Sequence, residues 1–239
     1  MYVGADEAGK GPVLGPMIAA AVRADPDRLP EGIDDSKRLA PARREDLAEG
    51  IRSDSGTIVG VGAVEPSEID DPETDMNSLT VAAQARAIAA ALHSIDRESS
   101  DDEAIRLVVD AGDVSEDRFA RRLREATEGL LREDADFRGP VPALEVDARH
   151  GADEDDPVVG AASILAKVER DRRMAAIDAS HPDRGPVGSG YPSDPDTRAF
   201  LETYVDETGE FPACTRRTWS TCDRILAERE QAGLEDFGN

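Results

Sequence analysis

Acidic residues stand at the ends of two segments with the pattern of β-strands. The segment at residues 2–6 ends in Asp6, which Glu7 follows, and the β-branched segment at residues 105–110 ends in Asp110. If these strands are neighbours, three carboxylates meet at one edge of a sheet. Phosphodiester hydrolysis with two metal ions needs converging carboxylates, and Mg²⁺ prefers oxygen ligands. The spacing therefore indicates a candidate centre for metal-dependent phosphodiester hydrolysis.

Strand geometry sets a condition on this centre. Adjacent residues on a regular strand point to opposite faces, so Asp6 and Glu7 share one site only if the strand breaks near them. Ala8 and Gly9 permit such a break, because glycine adopts backbone conformations that other residues avoid. The alternative is that these acids are solvated strand ends, since the chain has 52 acidic residues.

Two short motifs near the N-terminus have the composition of phosphate contacts. Gly9-Lys10-Gly11 combines glycines, which allow close backbone approach to a ligand, with a cation. Ser36 and Lys37 supply a hydroxyl and an ammonium group side by side. The glycines are also compatible with a simple turn, and the Ser-Lys pair with the start of a helix.

A third motif lies on a predicted helix rich in small residues. Ser163 and Lys167 are four residues apart, which places them on one helical face. That face either contacts phosphate or faces solvent. Four consecutive acids, at residues 153–156, precede this helix.

The charge balance is strongly acidic, with 52 acids against 28 bases and a net charge of −24. Such a chain repels nucleic acid at low salt. A halophilic protein has this composition, because a dense carboxylate surface keeps it soluble. At about 1 M salt the Debye length is only ~3 Å, so the net charge has little effect on a polyanion beyond direct contact. Only three of the bases are lysines, Lys10, Lys37 and Lys167, and each falls in one of the three motifs.

Composition also predicts the class and location of the protein. With 39% hydrophobic residues the chain can bury a core, and it shows neither a signal-peptide pattern nor a run long enough to span a membrane. We therefore expect a soluble, cytoplasmic protein that does not bind membranes. Cys214 and Cys222 match neither a zinc pattern nor a disulfide framework, and we expect plain thiols.

The hydrophobic periodicity predicts an α/β fold. It gives strands at residues 2–6, 17–22, 57–64, 105–110 and 143–146, and helices at 78–95, 115–130, 158–177, 196–205 and 218–230. Because no helix is predicted among the first three strands, we expect an antiparallel start to a mixed sheet. Helices flank the sheet and form the C-terminal part.

The motifs together resemble ribonuclease HII, and its archaeal branch in particular. Six segments match in the order and spacing of the family: DEAGKGPVLGP at 6–16, DDSKRL at 34–39, VVDAGDV at 108–114, DEDDPVVGAASILAKVERDR at 153–172, GSGYPSDPDT at 188–197 and RRTWST at 216–221. The resemblance covers the chain to about residue 225. It implies an RNase H-like mixed sheet with a helical C-terminal part.

The resemblance implies that four acids bind Mg²⁺ or Mn²⁺ and catalyse the reaction: Asp6, Glu7, Asp110 and Asp153. Asp153 competes with three neighbouring acids, and the family's spacing to the following proline selects it. Asp156 stands where archaeal relatives often have an aromatic residue. Asp113 is an alternative to Asp110, but the position at the end of a strand favours Asp110. Because four close carboxylates repel one another, we expect some raised pKa values and stabilisation of the fold by metal.

The resemblance also implies the substrate and its contacts. Ribonucleases HII cut the RNA strand of RNA/DNA hybrids and incise DNA duplexes 5′ of embedded ribonucleotides, leaving 5′-phosphate and 3′-hydroxyl ends. Backbone groups of Gly9, Lys10 and Gly11 would read the ribose 2′-hydroxyl, which distinguishes RNA from DNA. Tyr191 would stack at the junction between ribonucleotide and deoxyribonucleotide. Phosphate contacts would come from Ser36, Lys37, Ser163 and Lys167.

The predicted organisation is a catalytic domain at 1–180, a helical substrate-binding part at 181–230 and a flexible tail at 231–239. In the tail, Gln231, Leu234 and Phe237 have the spacing of peptides that dock on the sliding clamp, PCNA. The second aromatic residue of such peptides is absent, since Gly238 follows Phe237. A frayed terminus would also explain this segment.

Three other functions compete with the ribonuclease. A non-catalytic protein of this fold could bind nucleic acid or the clamp, although the complete set of acids disfavours that role. A junction resolvase would not cut at a single ribonucleotide. An acidic surface protein would need a secretion signal. We expect a monomeric enzyme.

Overall fold

The computed structural model describes residues 1–33, 39–93, 104–137 and 140–231, and the backbone of 232–236. The chain divides into two compact units. The first comprises Met1–Lys10, Met17–Val64 and Asp75–Arg170, and the second Gly11–Pro16, Glu65–Thr74 and Asp171–Asn239. The predicted functional division at residues 180 and 230 stays a prediction, because compactness does not assign a role to either unit.

A five-stranded mixed sheet forms the centre of the first unit. Its strands are β1 (Tyr2–Ala8), β2 (Met17–Ala24), β3 (Ile58–Val64), β4 (Ile105–Asp110) and β5 (Leu144–Arg149), in the order β3-β2-β1-β4-β5. The pairs β1–β2 and β2–β3 are antiparallel, whereas β1–β4 and β4–β5 are parallel. The predicted α/β class and the antiparallel start of the sheet are therefore confirmed.

Eight α-helices are present in the described part of the chain: α1 (Pro41–Ser53), α2 (Pro66–Ile69), α3 (Met76–His93), α4 (Glu116–Glu133), α5 (Ala152–Asp155), α6 (Pro157–Ala179), α7 (Pro195–Thr208) and α8 (Ser220–Asp236). The prediction that no helix separates the first three strands is wrong, because α1 lies between β2 and β3. Its only buried residues are Leu47, Ala48 and Ile51. So few apolar positions on a charged helix give a weak periodic signal.

Helices pack closely on both faces of the sheet because the strands carry small residues. A Cβ atom on Gly60 of β3 would overlap the Ala87 carbonyl of α3. A Cβ atom on Gly4 of β1 would lie 2.6 Å from the backbone of Val158 in α6. The two helices therefore approach the sheet at backbone distance, α3 on one face and α6, together with α1, on the other.

The start of α6 explains the acid at position 156. One carboxylate oxygen of Asp156 accepts the N–H groups of Val158 and Val159, at 2.9 and 3.1 Å. Free N–H groups at a helix start need such an acceptor. The Tyr2 hydroxyl also donates to this carboxylate, at 2.8 Å. The acid at position 156 is therefore a helix cap in this chain.

The second unit has its own apolar core, formed by residues of the loop after Lys10, the end of α6, α7 and α8. Phe200, Leu201 and Val205 of α7 pack there with Val13 and Met174. The Nε atom of the fully buried Arg216 donates to the Gly15 carbonyl at 3.0 Å. Cys214 and Cys222 are free thiols, as predicted. Among the described residues, no helix is long and apolar enough to cross a membrane.

Two glycine substitutions test the close packing of α3 on β3. Gly60→Ala should lower the free energy of unfolding by about 1–3 kcal/mol, because the added methyl group has no space. Gly129→Ala in α4 is the matched control, since nothing lies within 4 Å of the added atom. It should raise the free energy of unfolding by about 0.5–1 kcal/mol through helix propensity. Urea unfolding at constant salt measures both, and equal effects would contradict the packing.

Candidate active site

Carboxylates from β1, β4 and α5 gather at one edge of the sheet in the first unit. β1 and β4 are parallel neighbours, so Asp6, Glu7 and Asp110 come to the same edge. Asp153 lies in α5, directly after β5, and is 5% exposed. The four acids that the resemblance implies are thus brought to one region.

Asp6 and Glu7 remain within a regular strand. Both pair with β2, and the strand ends at Ala8, after which Gly9 has a φ of 92°. The two side chains accordingly point to opposite faces: Asp6 hydrogen-bonds Ser163 of α6, whereas Glu7 hydrogen-bonds Gln84 of α3. The break at Gly9 therefore comes after the two acids and does not turn them to a common face.

The carboxylates disfavour one another's charge. Burial, and then the charges of Glu7, Asp110 and Asp153, raise the pKa of Asp6 well above its usual value. Burial also raises the pKa of Glu7, against the opposing effects of Lys10 and Gln84. Since proximity of like charges favours protonation, this centre favours a bound cation.

Asp110 is held by the chain that follows β5. Its Oδ1 atom accepts the backbone N–H of Ala152 at 2.9 Å, one residue before Asp153. The competing Asp113 has a different role: it forms an ion pair with Arg118, which lowers the pKa of Asp113 to about 2. This pairing supports Asp110 as the acid available to a ligand.

Asp6, Glu7, Asp110 and Asp153 fit a hard divalent cation in their chemistry, because they are oxygen donors with unfavourable mutual repulsion. Across the described ranges, however, no three His, Cys, Asp or Glu side chains already surround a point where an ion would sit. One reason is that Asp6 and Glu7 lie on opposite faces of β1.

Two of the three lysines extend toward the carboxylates. The Nζ atom of Lys10 donates to the Gly112 carbonyl at 3.1 Å and lies 3.6 Å from Glu7 Oε1. The Nζ atom of Lys167 donates to Ser163 Oγ at 2.9 Å, and Ser163 in turn bonds to Asp6. Ser163 is 1% exposed. Both lysines therefore contribute positive charge to the centre in the absence of substrate.

The other residues predicted to contact nucleic acid or the sliding clamp are divided between the two units or lie outside the described residues. Gly9 and Lys10 belong to the first unit, and Gly11 and the 42% exposed Tyr191 to the second. A Cβ atom on Gly11 would lie 3.6 Å from the Tyr191 ring. Ser36 and Lys37 fall outside the described residues, as does Phe237. Gln231 is exposed near the end of α8, and Leu234 follows it on the same helix, with its side chain undescribed.

The sequence analysis missed two residues that contact this region, Gln84 and His150. Gln84 is fully buried in α3 among buried neighbours such as Thr80 and Ile88. A polar residue on the apolar face of a helix was the available signal, because buried polar groups need partners. His150 gave no signal, because its spacing matches no ligand pattern.

Comparisons with known proteins show the family of this chain. The family model described as "Ribonuclease HII" matches residues 3–222. A protein named Ribonuclease HII from Haloarcula marismortui is 51% identical over 237 residues, which is 99% of this chain and 100% of the relative. The chain belongs to the ribonuclease HII family. The family and its endoribonuclease activity, expected from the motifs, are thereby confirmed.

Solved structures of this family share the fold. The ribonuclease H2 from Pyrococcus horikoshii is 33% identical, with a TM-score of 0.73 over 95% of this chain and 97% of that one. The ribonuclease HII in the PCNA:RNase HII complex from Archaeoglobus fulgidus is 36% identical, with a TM-score of 0.71 over 94% and 96%. The RNase H-like fold is therefore shown.

His150, between β5 and α5, contacts the segment that follows β4. Its Nε2 atom lies 2.8 Å from the Asp113 carbonyl and its Nδ1 atom 2.9 Å from a Glu116 carboxylate oxygen. Both partners only accept hydrogen bonds, so the ring satisfies both when it is doubly protonated. The Asp113 carbonyl, and then Glu116 and Asp110, raise the pKa of His150 above 6.5.

This pairing predicts a pH-dependent contribution to stability. Because the pKa is raised on folding, the contribution is complete below the unfolded value of about 6.5 and is lost as the pH rises through the folded value. The stability difference between wild type and His150→Asn should therefore shrink above pH 6.5.

Urea unfolding at a series of pH values measures this difference. Glu116→Gln is the control, since the neutral amide should weaken the pH dependence. A difference that grows with pH would contradict the pairing.

Proposed function

We propose that this ribonuclease HII cuts the RNA strand of RNA/DNA hybrids and incises DNA duplexes 5′ of embedded ribonucleotides. The products would carry 5′-phosphate and 3′-hydroxyl ends. The observation that carries the proposal is the carboxylate centre of Asp6, Glu7, Asp110 and Asp153, of which Asp6 and Asp153 are buried, in a chain whose family membership is shown. Substrate and cleavage position come from the resemblance of the motifs.

Mg²⁺ or Mn²⁺ would bind at the four acids. When bound, two such ions supply an activated water and stabilise the leaving oxygen of a phosphodiester. Burial, and then the repulsion of neighbouring carboxylates, raises the pKa of Asp6, and a cation at these acids would relieve both. Because no preformed cage is present among the described residues, we expect ion binding to require some movement of these side chains.

The chain's own groups hold the acids in place. Ser163, to which Lys167 donates a hydrogen bond, opposes protonation of Asp6, and the Ala152 N–H orients Asp110. Lys10 contributes a cation next to Glu7. Groups that hydrogen-bond to metal ligands set their orientation and basicity. These contacts would keep the carboxylates ionised and oriented for the ion.

Contacts with nucleic acid follow from the resemblance. Backbone groups of Gly9, Lys10 and Gly11 would contact the ribose 2′-hydroxyl, and the exposed ring of Tyr191 would stack on a sugar or base. Because Ser163 is buried, a phosphate contact on its helix would come first from Lys167. The contacts proposed for Ser36 and Lys37 rest on the motif alone.

The working environment would be the cytoplasm of a cell with molar salt. A net charge of −24 opposes binding of a polyanion at low ionic strength. At about 1 M salt the Debye length of ~3 Å confines that repulsion to groups in contact. The relative from Haloarcula marismortui supports a halophilic origin. We further propose that the enzyme acts as a monomer, with catalysis in residues 1–180 and substrate binding aided by 181–230.

Substitution of single acids tests the centre. Asp110→Asn and Asp153→Asn should each reduce cleavage of a duplex with one embedded ribonucleotide by at least about 100-fold, since loss of groups that merely support a ligand costs 10–100-fold. Asp155→Asn is the matched control, because Asp155 is an exposed neighbour on the same helix. Cleavage is measured in molar KCl with Mg²⁺ or Mn²⁺.

Two results would contradict the proposal. If Asp155→Asn loses as much cleavage activity as Asp153→Asn, the assignment of Asp153 as a metal ligand is wrong. A folded wild-type protein that cuts neither this duplex nor a long hybrid would be a non-catalytic binding protein.

Addition of metal at constant ionic strength should also raise the melting temperature of the wild type, and it should raise that of Asp110→Asn by less.

The C-terminal segment is proposed to bind the sliding clamp. The structure from Archaeoglobus fulgidus is a complex of PCNA with a ribonuclease HII, which supports such a partner. In this chain Gln231 is exposed, and the helical backbone continues to Asp236. Peptides of this kind place their anchors on a short helical turn.

Deletion of residues 231–239 tests this proposal. It should abolish binding to the clamp of the same organism, measured by surface plasmon resonance in high salt, and leave cleavage without clamp unchanged. A triple alanine variant of Gln231, Leu234 and Phe237 should behave as the deletion does. Unchanged clamp binding in both would contradict the motif.

A further inference from the structure

Gln84 contacts two residues of the carboxylate site, although it belongs to no predicted motif. It occupies the middle of α3, and its side chain is fully buried. Its Nε2 atom donates to Glu7 Oε2 at 2.6 Å and to the Asp110 carbonyl oxygen at 2.9 Å. One side chain therefore bridges the ends of β1 and β4, where two of the proposed metal ligands stand.

We propose that Gln84 is a positioning residue of the metal site, whose amide fixes the Glu7 carboxylate against the main chain of Asp110. This inference rests on the function proposed above. The motifs place residues of the metal site only on the strands and in the α5–α6 region. The inference adds a residue of α3.

The need for this contact follows from the geometry of β1. Asp6 points to the face covered by α6, where Ser163 bonds to it. Glu7 points to the other face, where the groups that hold Asp6 are out of reach. On that face Gln84 of α3 supplies a neutral donor to Glu7, in addition to the ammonium of Lys10.

The orientation of the amide is determined by its partners. A carboxylate oxygen and a backbone carbonyl only accept hydrogen bonds, so the NH₂ end of Gln84 must face them, and it uses both its hydrogens. The other end is left unsatisfied: Oε1 is buried and has no hydrogen-bond partner among the described residues. A residue needed only for packing would avoid a buried unpaired acceptor. Gln84 is therefore placed for its contacts with the site.

The two oxygens of Glu7 have different partners. Gln84 holds Oε2 with a neutral donor, while the Lys10 ammonium lies 3.6 Å from Oε1. Because the amide is neutral and anchored to the main chain of Asp110, it orients the carboxylate without cancelling its charge. Such supporting contacts set the affinity of metal sites.

The chain allows a direct observation of Gln84 in the wild-type protein. It contains two glutamines, Gln84 and Gln231. Labelling with ¹⁵N-glutamine therefore gives two pairs of side-chain amide signals, with Gln231, which belongs to the second unit, as an internal control. During a titration with Mg²⁺ at constant ionic strength, the Gln84 pair should shift and the Gln231 pair should not. A Gln84 pair that stays unchanged while Mg²⁺ supports cleavage would overturn the inference.

Substitution gives a second measurement. Gln84→Met keeps the size of the side chain and removes both donors. It should raise the Mg²⁺ or Mn²⁺ concentration for half-maximal cleavage about 10- to 100-fold. Thr127→Val is the matched control, because it removes another buried polar group without a described partner, in α4 of the same unit. Its metal requirement should equal that of the wild type.

The outcomes separate this inference from the proposed function. If the wild type shows no metal-dependent cleavage, the proposed function fails. If the wild type cleaves but Gln84→Met has the wild-type metal requirement, only the role of Gln84 is overturned. If Gln84→Met does not fold, the titration of the labelled wild type decides the question.

Discussion

Burial of neighbouring carboxylates is the constraint on which the region around the sheet edge depends. The side chains of Asp6 and Glu7 are both shielded from solvent, and each has a raised pKa. Burial is the largest cause of both shifts, because it disfavours the charged form, and neighbouring carboxylates add to it. A carboxylate that loses contact with water needs hydrogen-bond donors from the protein. The fold provides separate donors on the two faces: Ser163 from α6, and Gln84 from α3.

These donors reach the acids only because the sheet is built from small residues. Gly4, Gly60 and the alanines of β2 let α3 and α6 approach at backbone distance. A larger side chain would move the helix outward by more than a hydrogen bond can stretch. Packing and electrostatics are thus linked: the glycines of the strands determine whether Gln84 and Ser163 contact the carboxylates at all. The low aromatic content, 4%, is consistent with this closely packed arrangement.

The sequence predicted the strands, the long helices and the region of the carboxylates, because these depend on local periodicity and strand-end positions. It did not predict α1, whose core-facing residues are few, or the partners of the acids, which come from distant segments. Gln84 is 77 residues from Glu7 along the chain. The strand rule set the condition that the strand must break for Asp6 and Glu7 to share a face, but the sequence did not show that the break comes after both, or which helix holds each one. Ser163 and Lys167 were interpreted as phosphate contacts, whereas here they also act on Asp6.

Arginine and lysine are used in different places in this chain. Arginine accounts for 25 of the 28 bases, yet both lysines in the described part of the chain, Lys10 and Lys167, extend to the carboxylate centre. A guanidinium is a rigid planar fork, whereas an ammonium is a compact charge with three rotatable donors. Lys10 must serve a carbonyl and a carboxylate from one atom, and Lys167 must reach a buried hydroxyl. The contacts at the site therefore account for the positions of both described lysines.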